Sequence, residues 1–190
     1  MSASLRIVPP SPPMAAVIHD DGEDTDALLI RFATDLRATG WRVRGLVQPP
    51  RAPGQEKQML LLDLDDADAR YDISQPLGPG ACGCSLDPAG VAAASAVLRR
   101  ALAEGADLVL ANRFGTLEAS GRGLAAEMLA LMAEPVPLLI VLNPRYLEAW
   151  RDFTGGIGAE LPPRIEALQA WFAGLARPEI ERPPCPACAA

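Results

Sequence analysis

Histidine occurs once in this 190-residue chain, cysteine four times, and the net charge is negative. Each scarcity excludes something. His19, the lone histidine, stands in no nucleophile-elbow context, so a Ser-His-Asp hydrolase is excluded. The cysteines form two close pairs, Cys82/Cys84 and Cys185/Cys188. In a reducing cytosol they build no disulfide framework. C-x-C plus C-x-x-C is permissible spacing for one tetrahedral soft-metal site, but the second pair sits in a Pro/Ala tail, which favours plain thiols. No G-x-G-x-x-G follows an apolar strand, which argues against a dinucleotide site. A formal charge of −7 is the wrong sign for nucleic acid or an anionic membrane surface. The longest apolar run, Val136 to Leu142, is broken by Pro137 and falls far short of the about 20 residues of a bilayer span. Met1 to Pro13 has four prolines and no apolar segment of the signal-peptide kind. The expected location is cytoplasmic, with residues 1–13 an unstructured lead-in.

What is present is a hydrophobic fraction of 49%, enough for a sizeable core without staples. The pattern alternates strand and helix. Met14 to His19 reads as a strand, and Leu28, Leu29, Phe32, Ala33 and Leu36 as a helical stripe ended by Gly40. Val43 to Gln48 is a second strand. Gln58 to Leu64 and Arg70 to Ser74 read as an antiparallel pair. Asp87 caps a helix with Pro88 in its first turn. Asp107 to Ala111 and Val136 to Leu142 have the continuous apolar character of strands covered on both faces. Short helices are expected at Arg145 to Phe153 and Pro163 to Gly174. The expectation is one α/β domain over 14–175, a three-layer, doubly wound, mostly parallel sheet, followed by a Pro/Cys-containing tail at 176–190.

In such sheets ligands sit beyond the carboxyl ends of the strands. The first such loop, His19-Asp20-Asp21-Gly22-Glu23-Asp24-Thr25-Asp26, has the strand–loop–helix layout of a phosphate-binding P-loop, G-x-x-x-x-G-K-[ST], with its chemistry inverted. Thr25 stands at the lysine position and Asp26 at the Ser/Thr position, while Gly22 suits an internal loop glycine. A helix N-terminus favours an anion by roughly 0.3–2 kcal/mol. One carboxylate about 5 Å from a phosphate repels it by roughly 3 kcal/mol at an effective dielectric near 20. Asp20, Asp21, Glu23, Asp24 and Asp26 together outweigh the dipole, so the loop does not hold bare phosphate. It suits a hard cation such as Mg²⁺ or a cationic group; equally, its acids complement the helix dipole, with Asp24 or Thr25 as the cap.

The second loop, Asn112 to Gly123, follows the strand whose end in a P-loop hydrolase carries magnesium-holding acids. Here that place reads Asn112-Arg113. Arg113 and Arg122 can hold an oxyanion, helped by amides of Gly115, Gly121 and Gly123; alternatively Arg113 pairs with an acid of the first loop and ties the two together. Glu118 is a candidate general base, or a salt-bridge partner of Arg122 four residues on. His19 is a metal ligand, a proton shuttle or a hydrogen-bonded strand-end residue. Gln75, Gly78 and Gly80 lie in a glycine-rich segment whose backbone can approach a ligand, and Asn143 leaves the carboxyl end of the Val136 to Leu142 strand, where its loop should converge with the first two. Gly22, Thr25, Gln75, Gly78, Gly80, Asn112, Arg113, Gly115, Gly121, Arg122 and Asn143 form the candidate ligand set.

The chain resembles a bacterial domain-of-unknown-function family. The resemblance is carried by Asp21-Gly22-Glu23-Asp24 with Asp26-Ala27-Leu28-Leu29; Gly45-Leu46-Val47-Gln48; Ile73-Ser74-Gln75 with Leu77-Gly78; Gly83-Cys84-Ser85-Leu86-Asp87; Ala106-Asp107-Leu108 through Asn112-Arg113-Phe114-Gly115; Glu118-Ala119; Gly121-Arg122-Gly123; and Ala149-Trp150. That resemblance implies a setting beside molybdenum-transport and nitrogenase-related genes. More distantly the layout is similar to the small P-loop nucleoside triphosphatases. Arg44-Gly45-Leu46 matches a Gly-Gly-Phe-like strand end, and Asn112 to Glu118 echoes the Walker B region, without the P-loop lysine or the Walker B acids. Three functions are carried forward. The first is binding of a small anionic ligand (an oxyanion such as molybdate, or a nucleotide) in molybdenum homeostasis. The second is Mg²⁺-dependent nucleotide hydrolysis with Glu118 as base. The third is a metal-pathway interaction protein that uses the tail cysteines. Oligomeric state is not legible.

Overall fold

The computed structural model describes residues 13–20, 24–50, 59–66, 68–74 and 87–175. One seven-stranded sheet runs through them: β1 (Met14–Ile18), β2 (Val43–Val47), β3 (Leu60–Asp63), β4 (Arg70–Asp72), β5 (Leu108–Phe114), β6 (Leu138–Leu142) and β7 (Ala159–Leu161). Their order across the sheet is β4-β3-β2-β5-β6-β1-β7. β2, β5, β6, β1 and β7 are mutually parallel; β3 and β4 add an antiparallel edge. The chain leaves β1 toward β2 on one side and later crosses over β1 to reach β7 on the other. β1 is therefore the switch point of the topology, where such sheets open a crevice.

Helices cover both faces, giving three layers. α1 (Thr25–Ala38) and α6 (Ile165–Ala173) pack on one face through Leu29, Phe32, Leu168, Trp171 and Phe172, against Ala15, Val17, Leu110 and Val141 of the sheet. α2 (Pro88–Glu104), α4 (Ala125–Met132) and α5 (Leu147–Thr154) pack on the other through Val97, Leu98, Met128, Leu131 and Trp150, against Ala16, Leu46, Val109 and Ile140. The central strands are apolar on both sides because both sides are covered. Asp87 accepts from the N–H groups of Ala89 and Gly90 at 3.1 Å and caps α2 as its sequence predicts. Gly45 has φ +114°, and a Cβ there would stand 2.0 Å from the carbonyl oxygen of Leu110, so β2 and β5 pair as closely as they do only with glycine.

Several boundaries differ from the sequence reading. β5 runs on to Phe114, three residues past Ala111, for a reason that shapes the site below. A short helix, α3 (Thr116–Ala119), begins within the segment read as loop. A 3₁₀ turn at Pro144–Tyr146 precedes α5. β7 was not foreseen at all: three residues with intermediate and exposed burial carry no strand periodicity, and only pairing with β1 makes them a strand.

Candidate functional site

The end of β5 is where the sheet's regularity breaks. Leu110 pairs with Leu139 of β6, but Arg113, not Asn112, pairs with Val141, so one extra residue is inserted. That residue is Asn112, buried at 8% exposure with φ +61°. Asparagine is among the few residues other than glycine that accept this left-handed conformation. A one-residue insertion exchanges the faces of everything after it. In β5, Leu108 and Leu110 face α1 and α6, while Val109 and Ala111 face α2 and α4. Unbroken alternation places Phe114 with Leu110. The bulge instead turns Phe114 to the opposite face, edge-on to Trp150 at 5.5 Å and to Phe153 at 5.2 Å, and turns Arg113 toward α1.

Arg113 there joins three elements. Its Nε donates to Gln48 Oε1 at the end of β2 (2.5 Å), its Nη1 bonds His19 Nε2 at the end of β1 (2.6 Å), and its Nη2 donates to Asp26 Oδ1 in the first turn of α1 (2.6 Å). A guanidinium has five N–H bonds and no acceptor, so His19 Nε2 is the acceptor and the ring proton sits on Nδ1, 3.1 Å from the carbonyl of Asp20. Two guanidinium N–H bonds have no partner among the described residues. The Arg113 and Asp26 side chains are 29% and 14% exposed. Burial raises the Asp26 carboxyl above its ordinary value; the charge and hydrogen bond of Arg113 pull the other way without cancelling it, and the charge of Asp24 adds to the rise.

The remaining candidates are placed as follows. Asp24 caps α1, accepting from Ala27 N at 3.1 Å. Thr25, the first residue of α1, is 1% exposed and its hydroxyl has no partner among the described residues. Asn143 caps the 3₁₀ turn through Arg145 N at 3.2 Å. Glu118 is buried with both carboxylate oxygens on backbone amides, Gly115 N at 3.0 Å and Leu124 N at 3.1 Å. This corrects the expected ion pair with Arg122, whose Nε bonds Ser120 Oγ at 3.2 Å: Glu118 sits at the third position of α3, where its chain reaches back to cap the helix. Both oxygens of Glu118 thus hold the turn between β5 and α4. The amides of Gly115 and Gly121 are engaged by Glu118, the latter by its main-chain carbonyl at 3.0 Å. Asp21, Gly22, Glu23, Gln75, Gly78, Gly80, Cys82, Cys84, Cys185 and Cys188 lie outside the described residues.

A magnesium ion is the companion of a P-loop nucleotide site. Among the described residues no three metal-ligating side chains gather; Asp24 is a helix cap and Asp26 serves Arg113. Those residues by themselves do not make a Mg²⁺ site. Gln48 and Tyr146 were missed by sequence reasoning. Gln48 is the polar residue ending β2, a position equivalent to His19 and Asn143, and that equivalence was the available signal. Tyr146 Oη lies 2.6 Å from Thr116 Oγ1, linking the segments after β6 and β5, which no pattern announces.

The sheet, its switch point and its helix layers define the protein as a three-layer α/β protein with a mostly parallel, doubly wound sheet. It belongs to the family described as protein of unknown function DUF2478, whose model matches residues 14–171. It is 39% identical over 160 residues to a protein named molybdenum import ATP-binding protein ModC 2 from Bradyrhizobium diazoefficiens, a match covering 84% of this chain and 18% of that protein. The chain thus spans under a fifth of that relative's length. The solution structure of a human cancer-related nucleoside triphosphatase superposes with a TM-score of 0.60 at 15% identity, covering 77% of this chain and 86% of that one. That likeness is one of fold. No helix among the described residues is long and apolar enough to cross a membrane.

Proposed function

We propose that this protein is a P-loop-derived binding module for a small anionic ligand, an oxyanion such as molybdate or a nucleotide, in the handling of molybdenum, without ordinary hydrolysis. One observation carries the reading. The Asn112 bulge presents Arg113 at the carboxyl end of the sheet, in contact with His19 at the end of the switch-point strand, with two N–H bonds that no described residue takes. The name of the 39%-identical relative supports the molybdenum setting. The buried Thr25 hydroxyl at the start of α1, without a partner among the described residues, supports a polar ligand group near that helix. Asp26 holds one side of the guanidinium and sets the affinity: a ligand anion has to share the cation with it. Hydrolysis is the weaker reading, because both oxygens of Glu118 are engaged by amides.

Isothermal titration calorimetry of the full chain with molybdate, tungstate, sulfate and ATP, each with and without Mg²⁺, tests this. Heat with at least one anion that disappears in Arg113→Ala is the expected result. No heat with any of them, or binding that is unchanged in Arg113→Ala, overturns it.

A further inference from the structure

Arg113 and Asp26 present a ligand with opposite chemistry side by side. Asp26 accepts from Arg113 Nη2 through Oδ1, and no described residue bonds its Oδ2. Arg113, with Gln48 and His19 also served, keeps two N–H bonds that no described residue takes. Both side chains retain some exposure. The pair therefore offers donors on the guanidinium and an acceptor on the carboxylate beside it.

That mixture sets a requirement on the anion. An oxyanion held by Arg113 brings a neighbouring oxygen of the same group up to Asp26. If that oxygen is bare, two negative acceptors face each other with no proton between them, and their repulsion offsets what the guanidinium contributes. If it carries a hydrogen, it donates to Oδ2 in a charge-assisted hydrogen bond, the stronger kind. The other charged groups that act on Asp26 do not remove the conflict: Asp24, in the turn before α1, has the same sign, and His19 of β1 already accepts from Arg113 through Nε2. Phosphate monoesters lose their last proton only near about pH 6, and inorganic phosphate likewise keeps one near neutrality. Sulfate and molybdate are bare dianions there.

We infer that Asp26 is a specificity-determining residue that selects an oxyanion still carrying a proton, hydrogen phosphate or a phosphate monoester, over a bare dianion such as sulfate or molybdate. This rests on the reading of Arg113 as the anion-holding cation and chooses among the ligands which that reading allows. The test is calorimetry of the full chain at about pH 6.5, where a monoester is still partly protonated, with inorganic phosphate, AMP, sulfate and molybdate, each against the parent and Asp26→Asn. Phosphate or AMP is expected to bind the parent about tenfold or more tightly than either bare dianion, the scale of one hydrogen bond to a charged group. The stronger of those two ligands tells inorganic phosphate from an ester. In Asp26→Asn the preference should collapse to about threefold or less, because the amide N–H donates to a bare oxygen; far-UV circular dichroism and the urea midpoint check that the variant is folded. Sulfate or molybdate bound by the parent as tightly as phosphate and AMP overturns the inference and leaves the anion site standing, as does a preference that persists in folded Asp26→Asn. No heat from any of the four overturns the inference, and silence from ATP and tungstate as well overturns the anion site with it.

Discussion

Arg113 Nη2 lies 2.6 Å from Asp26 Oδ1, so the end of β5 is tied by a charged hydrogen bond to the first turn of α1. Removing one member of a buried pair leaves the other uncompensated, at about 3–5 kcal/mol when burial is complete. Both side chains here keep some exposure, so Arg113→Ala is expected to lower stability by about 2–3 kcal/mol in urea unfolding. Adding Asp26→Asn to it recovers part of that loss. If the two substitutions simply add, the pair is not coupled as described.

The same pair sets a pH dependence. Burial raises the Asp26 carboxyl in the folded protein above its ordinary value of 3.8. The folded state thus binds this proton more tightly than the unfolded chain does. Its stabilising contribution is complete below that ordinary value and is lost as pH rises through the raised folded pKa. The stability of the parent minus that of Asp26→Asn should accordingly fall as pH rises across this window. A difference that climbs instead refutes the assignment.

Glu160 on β7 behaves oppositely. Hydrogen bonds from Arg151 of α5, at 2.7 and 3.0 Å, hold its carboxyl below the usual glutamate range. Its contribution is present above the ordinary value of 4.5 and is lost as pH falls through the lowered folded pKa. In Glu160→Gln the acid limb of the stability profile should be shallower. The pair is largely solvent-exposed, so the effect is small and weakens with salt.

Gly123 has φ +63°, and a Cβ there would lie 2.2 Å from Glu118 Oε1. Gly123→Ala is expected to cost about 2–3 kcal/mol, roughly 1–2 from the left-handed backbone and the rest from a weakened cap. A cost under half of that in urea unfolding argues against Glu118 as the clamp of this turn.

Thr25→Val removes a buried hydroxyl that has no partner among the described residues. An unsatisfied buried group costs about 1–3 kcal/mol, so the variant should be as stable as the parent or more stable by about 1 kcal/mol. Loss of anion binding in this more stable protein would mark the hydroxyl as a ligand contact.

The strand–helix alternation was legible because each element writes its own period. The Asp87-Pro88 start of α2, the apolar β6 and the stripe of α1 are local facts. The antiparallel edge was visible too, a little shorter than read. β7 was not, because an edge strand of three half-buried residues has no pattern until β1 lies beside it. At the site, the inverted charges of the first loop and of Asn112-Arg113 stood plainly in the sequence. The partner of Glu118 was misread, since i,i+4 spacing assumes that a helix continues to Arg122, whereas α3 ends at Ala119.

Residue order alone settled the fold type and put an arginine and a row of acids at the carboxyl ends of the strands. It left open whether Arg113 faces α1 or the opposite layer. A single inserted residue at Asn112 decides that, by reversing the alternation of β5, and insertions of this kind register only against a paired neighbour. Gln48, His19 and Asp26 therefore became one cluster through strand pairing, which brings together residues 94 positions apart, a distance no local periodicity spans.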